Sequence, residues 1–312
     1  MKLFLFTKDN LDLARAEAET LTKKGKLEEN VLLINTKNIT NRLAYTRLIG
    51  ELLFEATKKD IQSKIKKYNW NKIIKTTFAV NVFEKKEESQ SLSKLYGGMI
   101  YDQLKTPKVD LNNPGTKIVI IKTKKKFYVC IQEWENEANF ISRHPKTRPG
   151  QKPITILPRI ARVCVNLTGA TKEIYDPMCG VGGFLVEAGL MNLFPIGSDI
   201  SQEMIKLCSL NLKHYNLNKY LLFKQDFLEN KNKYDYILTD VPYGKNTKDI
   251  TKDFYKQFLA KLETVLKKRA VLMFPHFAKA ETLIKKSKLK IKGKYSIYIH
   301  KSLTREIFVV EK

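Results

Sequence analysis

Cysteine and histidine are scarce in this chain of 312 residues, with four of each. Cys130, Cys164, Cys179 and Cys208 form no CxxC pair and the histidines no cluster, so neither a zinc site nor a disulfide framework is readable and no metal is expected. Long apolar runs are missing as well. No stretch approaches the roughly 20 apolar residues of a membrane helix, and the apolar run at 3–6 is too short for a signal-peptide core. A cytoplasmic chain without a membrane partner is the expectation. Acidic side chains are few: 32 Asp and Glu stand against 57 Lys and Arg, a formal net charge of +25. The basic excess is spread over both halves of the chain, which excludes a basic tail on a neutral enzyme. A polyanionic partner, most simply nucleic acid, is favoured over a lysine surface that is only solvated.

The length suggests two or more domains. Residues 1–56 alternate strand and helix: an apolar strand at 3–6, a helix with Leu11, Ala14, Ala18 and Leu21 on one face, a strand at 31–36 and a second helix around 48–56. This reads as a small ferredoxin-like α/β module. Residues 57–136 give a basic helix at 60–69, a long strand at 72–84 and a periodic helix with Leu92, Leu95, Tyr96, Met99, Ile100 and Leu104 on its core face. A turn at Asn113-Pro114-Gly115 and two strands joined by the basic TKKK complete it. The order of TFAV, the Gly97-Gly98 helix, KVDLNNPGTKIVI and FYVCIQ resembles a THUMP domain. The resemblance implies a domain that binds tRNA by its 3′ acceptor end.

Residues 137–152 break all periodicity and read as a linker. Arg143, Lys146 and Arg148 lie in it, and Arg159 just beyond. These cations either grip RNA phosphates or face water, and the residues alone favour neither.

The C-terminal domain, 153–312, opens on a helix, LPRIARVCVNL, and then EIYDPMCGVGGFLVEAGL. Here a strand ending at Asp176 meets a turn with Gly180, Gly182 and Gly183 and a helix whose N-terminal amides face any ligand lying on the turn. The next strand carries Asp199 at the distance where a doubly wound fold sets a carboxylate on ribose hydroxyls. Asp226, at the end of the strand after that, is placed for an adenine amine. Met178, Cys179, Ile200 and Phe227 are expected to line the same pocket. A dinucleotide fingerprint wants Gly or Ala where Leu185 stands and has no use for Asp176, so S-adenosylmethionine is the better ligand. A turn needed only for packing explains the glycines but not three acidic residues at successive strand ends.

YDYILTDVPYG follows, with Asp240, Val241, Pro242 and Tyr243 after a buried strand. It resembles the Asp-Pro-Pro-Tyr motif of methyltransferases acting on the exocyclic amine of a base. The resemblance implies that Asp240 and the carbonyl of Val241 accept the two amine protons, Pro242 sets the loop and Tyr243 stacks on the base. Val241 stands where that family usually has proline, which puts loop rigidity in doubt. LPRIARVCVNL, DPMCGVGGFLVEAGL, GSDI and HKSLTREIFVV together resemble the THUMP-containing tRNA guanosine-N2 methyltransferases, nearest the archaeal type that modifies position 10. That implies a Rossmann-like class I methyltransferase domain with a seven-stranded sheet, α/β in class, behind an α+β ferredoxin-like module and a THUMP domain. It also implies S-adenosylmethionine as cofactor, with S-adenosylhomocysteine as its product. The expected base product is N2-methylguanosine or, after a second transfer, N2,N2-dimethylguanosine. A monomeric catalytic chain, with or without a small activating subunit, is expected. The alternatives are another base-amine methyltransferase, at tRNA position 6, rRNA guanine or adenine N6, and a tRNA-binding protein that does no catalysis.

Overall fold

The computed structural model describes residues 1–37, 39–83, 86–152, 155–242 and 252–312. The chain forms two compact units. The first gathers Met1–Leu11, Thr22–Asn41 and Thr46–Glu137, the second Asp12–Leu21, Arg42–Tyr45 and Ala138–Lys312. Among the described residues no helix is long and apolar enough to cross a membrane.

The elements of the N-terminal part are, in order, β1 (Lys2–Phe6), α1 (Leu11–Leu21), β2 (Lys26–Glu28), β3 (Val31–Ile34), β4 (Thr46–Ala56), α2 (Ile61–Lys67), β5 (Phe78–Phe83), α3 (Lys86–Tyr101), β6 (Thr116–Lys122) and β7 (Phe127–Glu135). The seven strands make one sheet in the order β2-β3-β1-β4-β7-β6-β5, unbroken across residue 56 where the sequence suggests a boundary. The stretch expected to be helical around 48–56 is instead the long strand β4. Its Leu, Glu and Ala favour helix locally, but β1 pairs with one edge and β7 with the other, and a Cβ on Gly50 would meet the Ile131 carbonyl at 2.7 Å. Long-range pairing overrides local propensity. The strand expected from 72 begins only at Phe78, because Trp70 is wholly buried in a 3₁₀ turn, its indole N–H donating to the Ile65 carbonyl at 2.8 Å.

The second unit continues with α4 (Pro158–Leu167), β8 (Glu173–Asp176), α5 (Gly183–Leu190), β9 (Phe194–Asp199), α6 (Gln202–His214), β10 (Leu221–Lys224), β11 (Tyr234–Asp240), α7 (Lys252–Val265), β12 (Leu266–Pro275), α8 (Ala280–Lys285), β13 (Lys290–His300) and β14 (Leu303–Glu311). Its seven strands run β10-β9-β8-β11-β12-β14-β13. The pairs from β10 to β12 are parallel, while β14 is antiparallel to both its neighbours. Strand order reverses between β8 and β11, so a crevice opens at their carboxyl ends, the usual ligand site of such a sheet. The core beneath it is aromatic: Phe227, Phe258, Phe274 and Phe308 are all buried.

Helix α1 groups with this second unit from Asp12 onward, and a carboxylate shows why. Glu17 is fully buried and accepts from the backbone N–H of Ala44 at 2.8 Å and of Tyr45 at 3.1 Å, and from the Asn166 side-chain amide at 2.7 Å. Burial pushes its carboxyl up to about 7, against the pull of these donors.

Candidate active site

A cavity of about 610 Å³ occupies the crevice. The turn contributes Asp176, Met178, Cys179, Gly180 and Gly183 to its wall. Asp199 and Ile200 follow from β9, and Asp226 and Phe227 from the end of β10. Asp240, Val241 and Pro242 close it from β11. Two expected residues are absent from this set. Tyr243 lies outside the described residues, and Gly182 does not line the cavity. Thr155 and Ile156, from the segment entering α4, and Phe254 of α7 line it without having been expected. No motif marks them.

The three glycines have different tasks. Gly180 has φ +51°, and a Cβ there would meet nothing within 4 Å among the described residues, so its missing side chain leaves open cavity. Gly182 has φ +83°, and a Cβ there would come within 2.5 Å of the Cys208 sulfur, so it serves the turn and the packing of α6. Gly183 keeps clear of Ile156 in the same way.

The acidic residues are held by backbone amides. Asp199 accepts from Gly180 N–H through Oδ2 at 2.9 Å and from Ser201 N–H through Oδ1 at 2.9 Å. Asp226 caps the next turn through Leu228 N–H at 2.9 Å, and Asp176 accepts from Met178 N–H at 3.1 Å. Burial pushes Asp176 up to about 8 and raises Asp199 as well, and the nearby Asp199 and Asp240 charges add to the effect on Asp176. A cation bound among them would reverse that shift.

At the reacting end, Asp240 Oδ2 pairs with Arg305 Nη2 at 2.9 Å, while Oδ1 is buried without a hydrogen bond among the described residues. Burial pushes this carboxyl up to about 6, with Arg305 pulling the other way. Val241 is fully buried, and its N–H donates to the Met273 carbonyl at 2.9 Å. A hydrogen bond thus anchors the loop where a proline ring usually does. Arg305 went unnoticed in the sequence because it sits in the last hairpin, far along the chain from Asp240.

The expected RNA-facing cations fare differently. Arg148 is 1% exposed, its guanidinium 5.9 Å from the Tyr215 ring, which takes it away from any phosphate at the surface. Arg143 forms a fork on the buried Glu187, at 2.8 and 3.2 Å, and Arg162 donates to the same carboxylate at 2.9 Å. Arg159 lies over Phe140 and Tyr45, and Lys146 is exposed. Arg143 and Arg148 therefore build structure, one through a carboxylate and the other through burial.

S-adenosylmethionine fits what is present: an open glycine edge for its backbone-facing parts, amide-fixed carboxylates for its hydroxyls, and a group of acids, Asp176 buried among them, for its positive charge. The comparisons agree. Residues 145–306 match the family described as RMKL-like, methyltransferase domain, and residues 55–132 match the THUMP domain. The tRNA (guanine(10)-N2)-dimethyltransferase of Pyrococcus abyssi is 33% identical over 319 residues, covering 96% of each chain. Among solved structures, TrmN from Thermus thermophilus superposes with TM-score 0.53 at 16% identity, covering 100% of this chain and 99% of that one. SMU.472, a putative methyltransferase complexed with SAH, gives 0.52 at 14% identity, over 99% and 97%. At such identities the structures speak for the fold.

Proposed function

This chain belongs to the THUMP-containing tRNA (guanine(10)-N2)-dimethyltransferase family, and we infer from that membership that it methylates the exocyclic N2 amine of guanosine 10 in tRNA. The observation that carries the reading to chemistry is Asp240, whose buried Oδ1 has no hydrogen-bond partner among the described residues, at the wall of the cofactor cavity. Residues 1 to about 136, with the THUMP domain, hold the tRNA.

S-adenosylmethionine, when bound, supplies a methyl group already activated by its sulfonium. Asp199, fixed by two amides, has lone pairs left for the ribose hydroxyls. Asp226 keeps its second oxygen for the adenine amine, and Asp176 answers the positive charge. On the RNA side, the N2 lone pair of guanine is delocalised into the ring. Asp240 and the Val241 carbonyl accept its two N–H groups and so draw the lone pair out and aim it. As the N–C bond forms and the S–C bond breaks, one N2 proton passes to Asp240. A carboxylate near 6 takes it and returns it to water at neutral pH. A second transfer presents the remaining N–H to the same acceptor.

Purified protein, methyl-labelled cofactor and an unmodified tRNA transcript should yield labelled N2-methylguanosine and N2,N2-dimethylguanosine, and none when position 10 is adenosine. Label at position 6, or only in rRNA or DNA, would overturn the substrate assignment. Cytoplasmic residence and a monomeric chain, with or without a small activating subunit, complete the reading. Light scattering on the active fraction checks the oligomeric state.

A further inference from the structure

Arg305 lies on β14, opposite Pro275 of β12 and Ile297 of β13, and is 5% exposed. Asp240 lies opposite Met273 on the other side of β12. The guanidinium therefore reaches across the end of β12 to the carboxylate, in a sheet whose strands stand about 4.8 Å apart. Such burial removes Arg305 from the RNA phosphates, and its Nη2 pairs with Asp240 Oδ2 at 2.9 Å.

We propose that Arg305 is a positioning residue for the methyl transfer: by holding Oδ2 of Asp240 it presents Oδ1 as the acceptor of the guanine N2–H and keeps the carboxylate ionised. The proposal rests on the reading of Asp240 as that acceptor. A protonated Asp240 would turn one oxygen into a donor and face an N–H with the wrong polarity. Among the described residues, the titratable groups that face Asp240 are Arg305 from β14, Asp176 from β8 and the Cys164 thiol from α4. Asp176 works against ionisation when it carries charge, and the thiol, itself pushed far up by burial, stays neutral. Among the described residues Arg305 is the cation that opposes burial.

The test compares Arg305→Met, Arg305→Lys, Asp240→Asn and the double variant Asp240→Asn/Arg305→Met, each with a melting curve and with tRNA and S-adenosylmethionine affinities. Arg305→Met should keep both affinities, lower kcat at pH 7 about ten-fold or more, and move the acid limb of the kcat profile up by about one to three pH units, the usual effect of an adjacent opposite charge. Arg305→Lys should restore part of both. Carboxyl ¹³C NMR, with the Asp240 signal identified by its loss in Asp240→Asn, should show the same upward movement without any turnover. Where Arg305→Met folds poorly, the double variant removes both buried charges together and should fold, with the same residual kcat as Asp240→Asn alone. An unmoved acid limb and NMR titration in Arg305→Met, with Asp240→Asn inactive, would overturn the proposal and leave the acceptor reading standing, as would an Arg305→Lys as impaired as Arg305→Met with an unmoved NMR titration. An active Asp240→Asn would overturn the reading itself.

Discussion

Two glycines of one turn should fail in opposite ways when given a methyl group. Gly182→Ala forces an L side chain into the left-handed region, at about 1–2 kcal/mol. It also sets that Cβ within 2.5 Å of the Cys208 sulfur, overpacking worth about 1–3 kcal/mol. A total of about 2–5 kcal/mol corresponds to a Tm drop of roughly 5–15 °C for a unit of this size. Gly180→Ala carries a similar backbone strain but meets no neighbour, so its melting point should fall by only a few degrees. Its methyl group enters the cavity, and S-adenosylmethionine affinity should drop ten-fold or more, about 1.4 kcal/mol. Differential scanning calorimetry reads the first quantity and isothermal titration the second. Cys208→Ala should recover the overpacking part in the Gly182→Ala background only, a coupling between touching residues. Unchanged cofactor affinity in Gly180→Ala, or no recovery with Cys208→Ala, would refute the division of labour argued here.

Cofactor binding should release a proton. Asp176, near 8, is mostly protonated at pH 7, and a bound cation favours its carboxylate, so release should approach one proton at pH 7, vanish above about pH 9 and disappear in Asp176→Asn. Titration calorimetry in buffers of different ionisation enthalpy measures it. Glu17→Ala removes the carboxylate that accepts from two buried backbone N–H groups and takes one of two acceptors from the Asn166 amide, and should cost about 2–5 kcal/mol in a urea melt. Val241→Pro restores the proline of the usual motif but deletes the hydrogen bond to Met273, so it should lose about 1–3 kcal/mol of stability without a gain in kcat. A faster enzyme would show that the bond does not hold the loop.

The crevice was legible because its signals are local: a strand, a glycine turn and acidic residues at strand ends recur at short spacing. What escaped the sequence depends on distant pairing. Strand β4 has helix-forming residues, and only β1 and β7 beside it explain its extension. Arg148 and Arg143 look like RNA-facing cations until burial and Glu187 are seen. Gly182 shares the turn with Gly180, and only the neighbouring α6 tells their tasks apart. Arg305 belongs to the reacting centre through a contact that crosses a strand, and its sequence neighbours give no hint of it.

Helix α1 leaves the ribosome well before Asn166, which its Glu17 binds from 149 residues further along the chain. At ordinary rates of synthesis the Asn166 amide follows Glu17 by roughly 7–30 s, long after the Ala44 and Tyr45 amides that bind the same carboxylate. The second unit therefore closes on a segment made well before the rest of it. A gene fragment beginning at residue 138 would encode the whole cofactor cavity and still lack one of the helices its fold requires. Such a fragment should be rescued by supplying residues 11–45 as a separate peptide, which would turn an accident of chain order into a complementation assay.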